Sequence, residues 1–430
     1  MSEKKQLETS YAESVPRLKH HLSAIFSGGT PETGNDDFWS TDESGISWVA
    51  IGDMSGRELI ESTQKRITVA GGESKRLQVL PPGTLIYSMY ASLGHVAELA
   101  IPATINQALL GFEFKKGVHK QYVKWQLRHL QRRVLEEASS STQDNLNAEK
   151  VRNLPIPLPP YETQVSIADY LDRETVRLDG LVATKKKLLE LLEEKRSSLI
   201  THAVTRGLDK KAILRDTGIL WLGKIPAHWE VTRLKFVAEV QGGLTLGKNY
   251  ETRELIEYPY LRVANVQDGH IDLSDVAKIL VPQAEAESCL LQSGDVLMNE
   301  GGDADKLGRG AVWFGEISPC LHQNHVFAVR PKLIRSEWLN VWTSTAGAKG
   351  YFESRAKQST NLASISATNI KELPIPIPPD NEQSTILAYV ETEIGKLDSL
   401  YSATKRTISL LKERREALIS AAVTGKIEVA

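Results

Sequence analysis

The side chains that could bind a metal in this sequence lie within one short stretch. Cys320, His322 and His325 form a CxHxxH run, and thiolate and imidazole are ligands that zinc prefers. A structural zinc site has four ligands, and no clear fourth ligand accompanies these three. The stretch has the character of a strand, so packing or contact with a nucleic-acid base is favoured over zinc. We therefore predict no metal site.

Motifs for catalysis are also missing. Asp295, Glu300 and Lys306 resemble the acidic and basic set of a nuclease, but scatter of this kind is common in ordinary domains. The sequence contains no GxxxxGK[ST] phosphate loop and no N-P-P-aromatic or D-P-P-Y motif of adenine methylation. We predict a chain without a catalytic centre and without a cofactor of its own.

A larger set of polar side chains suits the recognition of DNA bases, because Arg and Lys pair with guanine while Asn and Gln pair with adenine. Asn299 begins a glycine-rich loop that ends near Arg309, and polar runs also precede two proline-rich segments. A solvated turn or a helix cap explains any one of these residues equally well. The predicted DNA contacts are Thr30, Ser88, Tyr90, Asn106, Gln107, Ser141, Thr142, Lys248, Asn299, Lys306, Arg309, His322, Gln323, Asn324, Gln358, Ser359, Thr360 and Asn361.

One helical segment carries a basic face opposite an apolar one. The apolar side is formed by Tyr122, Trp125 and Leu130. Contact with phosphates and plain solvation of the charges are both open for this face. Its basic residues are Lys120, Lys124, Arg128, Arg132 and Arg133.

The bulk composition limits these options. The 430 residues have a formal net charge of −2, so DNA binding has to depend on local charge. The length suggests two to four domains. No apolar run approaches the roughly 20 residues that cross a bilayer, so no membrane contact is expected. Cys289 and Cys320 make no disulfide framework, and a reducing cytoplasm is the expected location.

An internal repeat organises the whole chain. Residues 154–160 read LPIPLPP and residues 373–379 read LPIPIPP, an offset of 219 residues. The same offset continues without a gap to Ala203-Val204-Thr205 and Ala422-Val423-Thr424. Alternating prolines cannot join a helix or a central strand, so each proline-rich segment is predicted to form an extended strap. The chain is therefore a duplicated unit.

The segment after each strap has the leucine spacing of a coiled coil. Residues 176–205 would form about 45 Å of helix at 1.5 Å per residue. Each copy lacks another helix of that length to pack against, so the two helices are predicted to pair with each other. We expect them to act as a spacer and as a surface for partner proteins. The leucines assigned to this role are Leu178, Leu181, Leu188, Leu192, Leu199, Leu397, Leu400, Leu411 and Leu418.

The regions upstream of the straps resemble each other more weakly. Gly28-Gly29-Thr30 parallels Gly242-Gly243-Leu244-Thr245, and Asn106-Gln107 parallels Gln323-Asn324. Short alternating apolar runs, broken by Gly, Asn and Asp, favour a strand-rich α+β domain in each half. A shared scaffold with different loops is what two readers of different targets would need.

The organisation and motifs resemble the specificity subunit of Type I restriction–modification systems, over essentially the whole chain. Residues 216–236, DTGILWLGKIPAHWEVTRLKF, are similar to the start of a target-recognition domain in that family. Residues 28–54 and 307–331 are similar to early and late parts of such domains, and the straps and leucine helices match the family's spacers. The first half lacks the WLG-IP-HW segment and keeps only residues 15–19.

The resemblance implies the partners. They are double-stranded DNA, two modification subunits that use S-adenosylmethionine to methylate adenine, and restriction subunits that translocate with ATP and Mg²⁺. On this interpretation none of that chemistry lies in the present chain. A structural coiled-coil scaffold that never reads DNA is the alternative, and the diverged polar loops argue against it.

The predicted fold is α+β, with two strand-rich target-recognition domains separated by two long helices that pair as an antiparallel coiled coil, in a pseudo-two-fold tandem repeat. The predicted function is to read a bipartite, asymmetric DNA site. The chain is divided as a polar tail at 1–14, target-recognition domain 1 at 15–160, spacer helix 1 at 161–206, a linker at 207–228, target-recognition domain 2 at 229–379 and spacer helix 2 at 380–426.

Overall fold

The computed structural model describes residues 15–139, 146–245, 247, 254–302, 307–308, 310–358 and 363–429. The chain forms two compact units. The first unit contains Met1–Lys185 and Thr407–Ala430, and the second contains Lys186–Arg406. Each long helix is therefore shared between the units, whereas the division made from the sequence keeps each helix as a separate segment. None of the described helices is long and apolar enough to pass through a membrane.

The first unit contains two sheets with short helices around them. Its strands are β1 (Leu22–Ser27), β2 (Trp39–Ser40), β3 (Ile46–Val49), β4 (Leu59–Ile60), β5 (Lys65–Ile67), β6 (Leu85–Ser88), β7 (Val96–Leu99), β8 (Ala103–Ile105) and β9 (Leu109–Phe114). Its helices are α1 (Leu18–His21), α2 (Ile51–Met54), α3 (Val69–Ser74), α4 (Lys120–Ser139), α5 (Ala148–Arg152) and the first part of α6 (Tyr161–Arg206). The sheet orders are β1-β9-β6-β7-β4 and β2-β5-β3-β8.

The second unit has more strands and shorter helices. Its strands are β10 (Leu214–Asp216), β11 (Lys224–Pro226), β12 (Glu230–Arg233), β13 (Ala238–Gln241), β14 (Ile256–Leu261), β15 (Ala277–Val281), β16 (Val296–Asn299), β17 (Gly301–Gly302), β18 (Gly310–Val312), β19 (Leu321–His322), β20 (Val326–Pro331), β21 (Lys357–Gln358), β22 (Ala363–Ser364) and β23 (Pro374–Ile377). Its helices are α7 (Gln283–Glu287), α8 (Ser336–Thr343), α9 (Ala346–Arg355), α10 (Ala367–Lys371) and the first part of α11 (Asp380–Val423).

The main sheets of the two units share a common strand order, to which the first unit adds β4 and β2 at the sheet edges. The order β13-β20-β16-β18 corresponds to β1-β9-β6-β7, and β15-β14-β19 corresponds to β5-β3-β8. The only parallel contact in each smaller sheet also recurs, between β3 and β8 and between β14 and β19, among the described strands. The central strands β6 and β16 are buried along their whole length because sheet neighbours and core side chains cover both faces. The predicted α+β class is confirmed, and the two domains share one scaffold.

The second proline strap forms a ladder with the start of its domain. Strand β23 pairs antiparallel with β12, and Pro374 and Pro376 face Arg233 and Val231. Because proline has no N–H, only alternate residues of the strap can donate, which is tolerated in a two-stranded ribbon. The proline carbonyls accept other donors: the Trp338 indole donates to Pro376 O at 2.9 Å, and the Trp342 indole donates to Pro374 O at 3.0 Å.

The two long helices predicted from the leucine spacing are present as α6 and α11. Gly207 and Gly425 follow their ends with φ of 71° and 70°, the left-handed conformation in which glycine carries no Cβ penalty. The end of α6 packs into the core of the second unit, where Val204 joins the same cluster as Trp229. The end of α11 packs into the core of the first unit, where Val423 joins the same cluster as Leu18.

Candidate nucleic-acid interface

A close approach of two backbone segments builds one edge of the first domain. Gly28 lies so near the carbonyl of Asn106 that any Cβ there would clash with it. Asn106 is buried, and its side chain accepts from Ala108 N at 3.1 Å, so it shapes the turn before β9. Next to it the Thr30 hydroxyl donates to the exposed Gln107 side chain. The predicted contacts Thr30, Asn106 and Gln107 are therefore brought together, with Gln107 accessible.

A second loop of the first domain follows β6. Ser88 is fully buried, and its hydroxyl donates to Tyr90 O at 2.8 Å, while Gly94 N donates to Ser88 O at 2.9 Å. Ala91 has a φ of 57°, which is unusual for a residue with a side chain. Ser88 thus holds the loop, and Tyr90, which is 40% exposed, is the predicted residue that reaches the surface there.

The second domain repeats the close approach with different side chains. Gly243 lies against the carbonyls of His322 and Gln323, as Gly28 does against Asn106. Gln323 N donates to Leu261 O and Asn324 N donates to Leu244 O, both at 2.9 Å, and both side chains are half-buried. The predicted contacts Gln323 and Asn324 therefore lie at the same place in this domain as Asn106 and Gln107 in the first.

Two other predicted contacts of the second domain lie inside it. Asn299 is buried, and its amide donates to Val266 O at 3.0 Å. His322 is also buried, with Nδ1 at 2.6 Å from Val326 O. Burial lowers the pKa of His322, so its ring is neutral near neutral pH. Both side chains therefore bond to backbone carbonyls inside the domain, next to its edge.

The described residues that the sequence suggested for metal binding or catalysis have other surroundings. Burial raises the pKa of Cys320 to about 12, which keeps it a thiol. His325 lies 2.7 Å from the Glu300 carboxylate. Asp295 is fully buried and makes two hydrogen bonds of 2.8 Å with Arg330, so it is a structural ion pair. Within the described part of the chain, no group of three His, Cys, Asp or Glu residues could hold a metal.

Several predicted contacts lie outside the described residues, or are described only in part. Gln358 belongs to β21, and only its backbone is described. Those outside are Ser141, Thr142, Lys248, Lys306, Arg309, Ser359, Thr360 and Asn361.

At its centre the basic face of α4 is paired with a carboxylate, an arrangement that the sequence did not predict. Arg128 donates to the Glu58 carboxylate at 2.7 Å and lies 4.7 Å from the Trp125 ring centroid, and Lys124 is 3.9 Å from Glu58. Burial opposes ionisation of Glu58, but Arg128 and the other cations around it together outweigh burial, and the pKa of Glu58 lies below its usual value. Arg415 of α11 also lies 3.9 Å from Glu58. The sequence holds no signal for this cluster, because Glu58 is distant in the chain.

A glutamine at the start of each long helix joins helix, strap and domain. Gln164 donates to Pro159 O at 2.8 Å and accepts from His119 N, just before α4, at 2.8 Å. Gln383, at the equivalent position, donates to Pro378 O at 2.9 Å and accepts from Arg335 N, just before α8, at 3.3 Å. Both side chains are buried. The two glutamines are 219 residues apart, which is the offset of the repeat, but the sequence does not reveal their partners.

The predicted helix leucines divide into three groups by exposure. Leu178, Leu192 and Leu397 are buried, while Leu188, Leu199, Leu411 and Leu418 are half-buried. Leu181 and Leu400, one repeat apart, are 43% and 47% exposed. Leu191 and Leu410 are likewise one repeat apart, and they are 48% and 54% exposed. The duplication therefore leaves the same apolar positions uncovered on both helices.

These features define a class of protein: a tandem recognition protein, with one scaffold used twice, different polar side chains at the equivalent edge of each copy, and a long helix after each. The family model described as Type I restriction modification DNA specificity domain matches residues 22–194 and 226–408. The chain therefore belongs to this family and carries two copies of its domain.

Individual relatives agree with this assignment. The chain is 23% identical over 282 residues to the Type I restriction enzyme EcoKI specificity subunit of Escherichia coli K12, covering 63% of this chain and 57% of that protein. It is 23% identical over 423 residues to the Type I restriction enzyme MjaIX specificity subunit of Methanocaldococcus jannaschii, covering 96% and 93%. A chain solved in a study of the assembly and conformational transition of the type I R-M system shares the fold, with a TM-score of 0.70 at 17% identity over 95% of this chain and 98% of that one.

Proposed function

We propose that this chain is the DNA specificity subunit of a type I restriction–modification complex, and that its two domains each read half of a bipartite, asymmetric site. The observation that carries the proposal is the repeated scaffold with different edges. The close approach at Gly28 recurs at Gly243, but Gln107 and Thr30 line one edge while Gln323 and Asn324 line the other. Different side chains on one scaffold suit two different half-sites.

We further propose that α6 and α11 pair antiparallel about a pseudo-two-fold axis. Two reciprocal ion pairs support this arrangement. In the first unit Arg415 lies 3.1 Å from Asp179, and in the second unit Arg196 lies 3.6 Å from Asp398. The two arginines are one repeat apart, and so are the two aspartates. Each copy thus gives its arginine to the aspartate of the other, which is the contact pattern of a two-fold interface.

The proposed pairing also explains the spacing of a bipartite site. A two-fold pair of DNA-reading units contacts half-sites about one helical turn, roughly 34 Å, apart. The helices have 46 and 44 residues, or about 69 and 66 Å at 1.5 Å per residue, so an antiparallel pair is long enough to hold two domains at such a separation. The bases between the half-sites then remain unread, and the helix length sets their number.

Catalysis in this proposal belongs to other subunits in the cytoplasm. Two modification subunits dock on the spacer helices and methylate adenine with S-adenosylmethionine, and restriction subunits use ATP and Mg²⁺. The exposed Leu191 and Leu410 support two equivalent docking positions, because a repeated apolar patch suits two copies of one partner.

The test is to co-express the chain with candidate modification subunits and to map methylated adenines on genomic DNA. We expect one two-part motif with an unread gap. Exchanging residues 16–153 for those of a relative should change one half of the motif and leave the other half intact. Absence of sequence-specific methylation with any partner would reject the proposal.

A further inference from the structure

The short helix α3 of the first domain ends in a strained turn. Leu77 N donates to Gly72 O at 2.9 Å, and Arg76 N donates to Glu73 O at 3.0 Å, the two bonds of a Schellman motif. The residue at the left-handed position of this motif is usually glycine, but here it is Arg76, with a φ of 52°. Strained residues of this kind are concentrated at functional sites, so the turn calls for a reason to keep arginine.

The turn lies against the edge already described. A Cβ on Gly29 would lie 2.9 Å from Leu77 Cδ2 and 3.4 Å from Lys75 Cβ, so residues 75–77 contact the segment that leads to Thr30. Arg76 and Gln78 line a cleft of about 140 Å³ together with Ser27 and Gly28. Lys75, Arg76 and Gln78 are exposed. Basic, amide and hydroxyl side chains thus meet at one edge, the set that recognises base edges.

The charges of this turn are not neutralised. Among the residues that the structure describes, neither Lys75 nor Arg76 has a carboxylate at ion-pair distance. This contrasts with α4, where Glu58 compensates Arg128. Basic residues at this turn interact favourably with the negative end of the α3 dipole. That interaction does not require the arginine to adopt a left-handed backbone conformation. An uncompensated guanidinium in an open cleft is available to a ligand that accepts hydrogen bonds.

The second domain has the same element with different chemistry. Helix α7 lies between β15 and β16, as α3 lies between β5 and β6. Its end contacts the equivalent segment, since the Gln241 amide donates to Ser288 O and the Cys289 thiol lies 3.8 Å from Gly242 O. This end carries Glu287, Ser288 and Cys289 and no basic residue, whereas the turn after α3 carries Lys75, Arg76 and Gln78. The basic turn is therefore a feature of the first domain alone.

We propose that Arg76 reads a base in the half-site of the first domain, with Lys75 and Gln78 beside it. This rests on the proposed function. Guanine is the base that arginine contacts most often, through two hydrogen bonds to O6 and N7. The left-handed backbone is then retained because it turns the guanidinium into the cleft, at the expense of local stability.

The experiment compares full-length chains that carry Arg76→Ala or Arg76→Gly, each co-expressed with the modification subunits that give the wild-type methylation motif. We expect discrimination at one base pair of the first-domain half-site to fall roughly tenfold or more, with the other half-site unchanged. The thermal midpoint of Arg76→Gly should equal or exceed that of the wild type, because glycine adopts positive φ without strain. Ser288→Ala, at the end of α7 in the second domain, is the control and should leave both half-sites unchanged.

Three results would overturn the assignment of Arg76. They are an unchanged motif, a uniform fall in methylation with the motif intact, and a lower thermal midpoint for Arg76→Gly. The second result would mean a phosphate contact, and the third a structural role. A wild-type chain without any bipartite motif would instead reject the proposed function, so the two failures are separate.

Discussion

At the scale of single residues, Gln164 and Gln383 show how one buried amide can join three parts of the chain. Each side-chain amide donates to a proline carbonyl of the strap. Each side-chain oxygen accepts from the backbone N–H just before a helix of the domain, which is α4 in the first domain and α8 in the second. Both backbone groups have few other possible partners, since the strap is rich in proline and a helix start leaves its first N–H groups unpaired. One side chain therefore ties the domain, the strap and the long helix together at each junction.

The substitution Gln383→Leu should lower the free energy of unfolding by about 2 kcal/mol, because a buried carbonyl and a partly buried N–H lose their partner. Urea denaturation followed by tryptophan fluorescence measures this change. Gln283→Leu is the control, because that glutamine is exposed on α7. A loss no larger than that of the control would show that the Gln383 bonds do not hold the joint.

At the scale of elements, the two long helices were predictable and the order of the strands was not. The leucine spacing and the prolines are local patterns, and the offset of 219 residues repeated them, so both helices and both straps followed from the sequence. The strands are two to six residues long and pair with distant segments, as β1 does with β9. Strands this short show little periodicity. The alternation of apolar and polar residues therefore predicted that the domains are rich in strands, but not which strands pair.

The candidate site was predictable to a similar degree. Residue type identified Asn106, Ser88, Asn299 and His322 as possible base contacts, and these remain predictions. Their burial could not be predicted, because it depends on tertiary neighbours such as Val266 and Val326. Arg76 was missed for a related reason. Its left-handed conformation follows from the end of α3, which the sequence alone does not locate.

If the two long helices pair antiparallel, their length should set the number of unread base pairs between the half-sites. Seven residues inserted after Lys187 in α6, together with seven after the equivalent Arg406 in α11, add about 10.5 Å at 1.5 Å per residue. At 3.4 Å per base pair, the unread gap should lengthen by about three base pairs with unchanged half-sites. Methylation mapping measures the gap.

An insertion in α6 alone is the control for that experiment. It separates Arg196 from Asp179 on one helix only, so the two reciprocal ion pairs cannot both form. We expect that variant to assemble poorly. A gap that stays constant in the double insertion would show that helix length does not set it.

At the scale of the whole molecule, duplication has consequences for assembly. Every surface feature that both copies of the repeat share occurs twice on the molecule, as the exposed Leu191 and Leu410 do. A surface feature that differs between the two copies, such as the basic turn at Arg76, occurs once. Equivalent partners should therefore use the long helices, while the orientation on DNA should come from the domains.

The substitution Leu191→Glu should remove one modification subunit from the complex, and the double substitution with Leu410→Glu should remove both, because a charge in an apolar contact stays unpaired. Native mass spectrometry counts the subunits. Lys195→Ala and Arg414→Ala change exposed charged positions one repeat apart and serve as controls. Two bound subunits in the double variant would place docking elsewhere.

The core of the first unit includes Ile419, Ala422 and Val423 together with Leu18 and Leu22. Between these parts the ribosome has to make the whole second unit, residues 186–406. Contacts of such long sequence separation form slowly. The first unit can therefore complete its core only after the second unit has been translated. We expect apolar surface of the first unit to stay exposed during that time, which is the condition under which nascent chains need protection by chaperones.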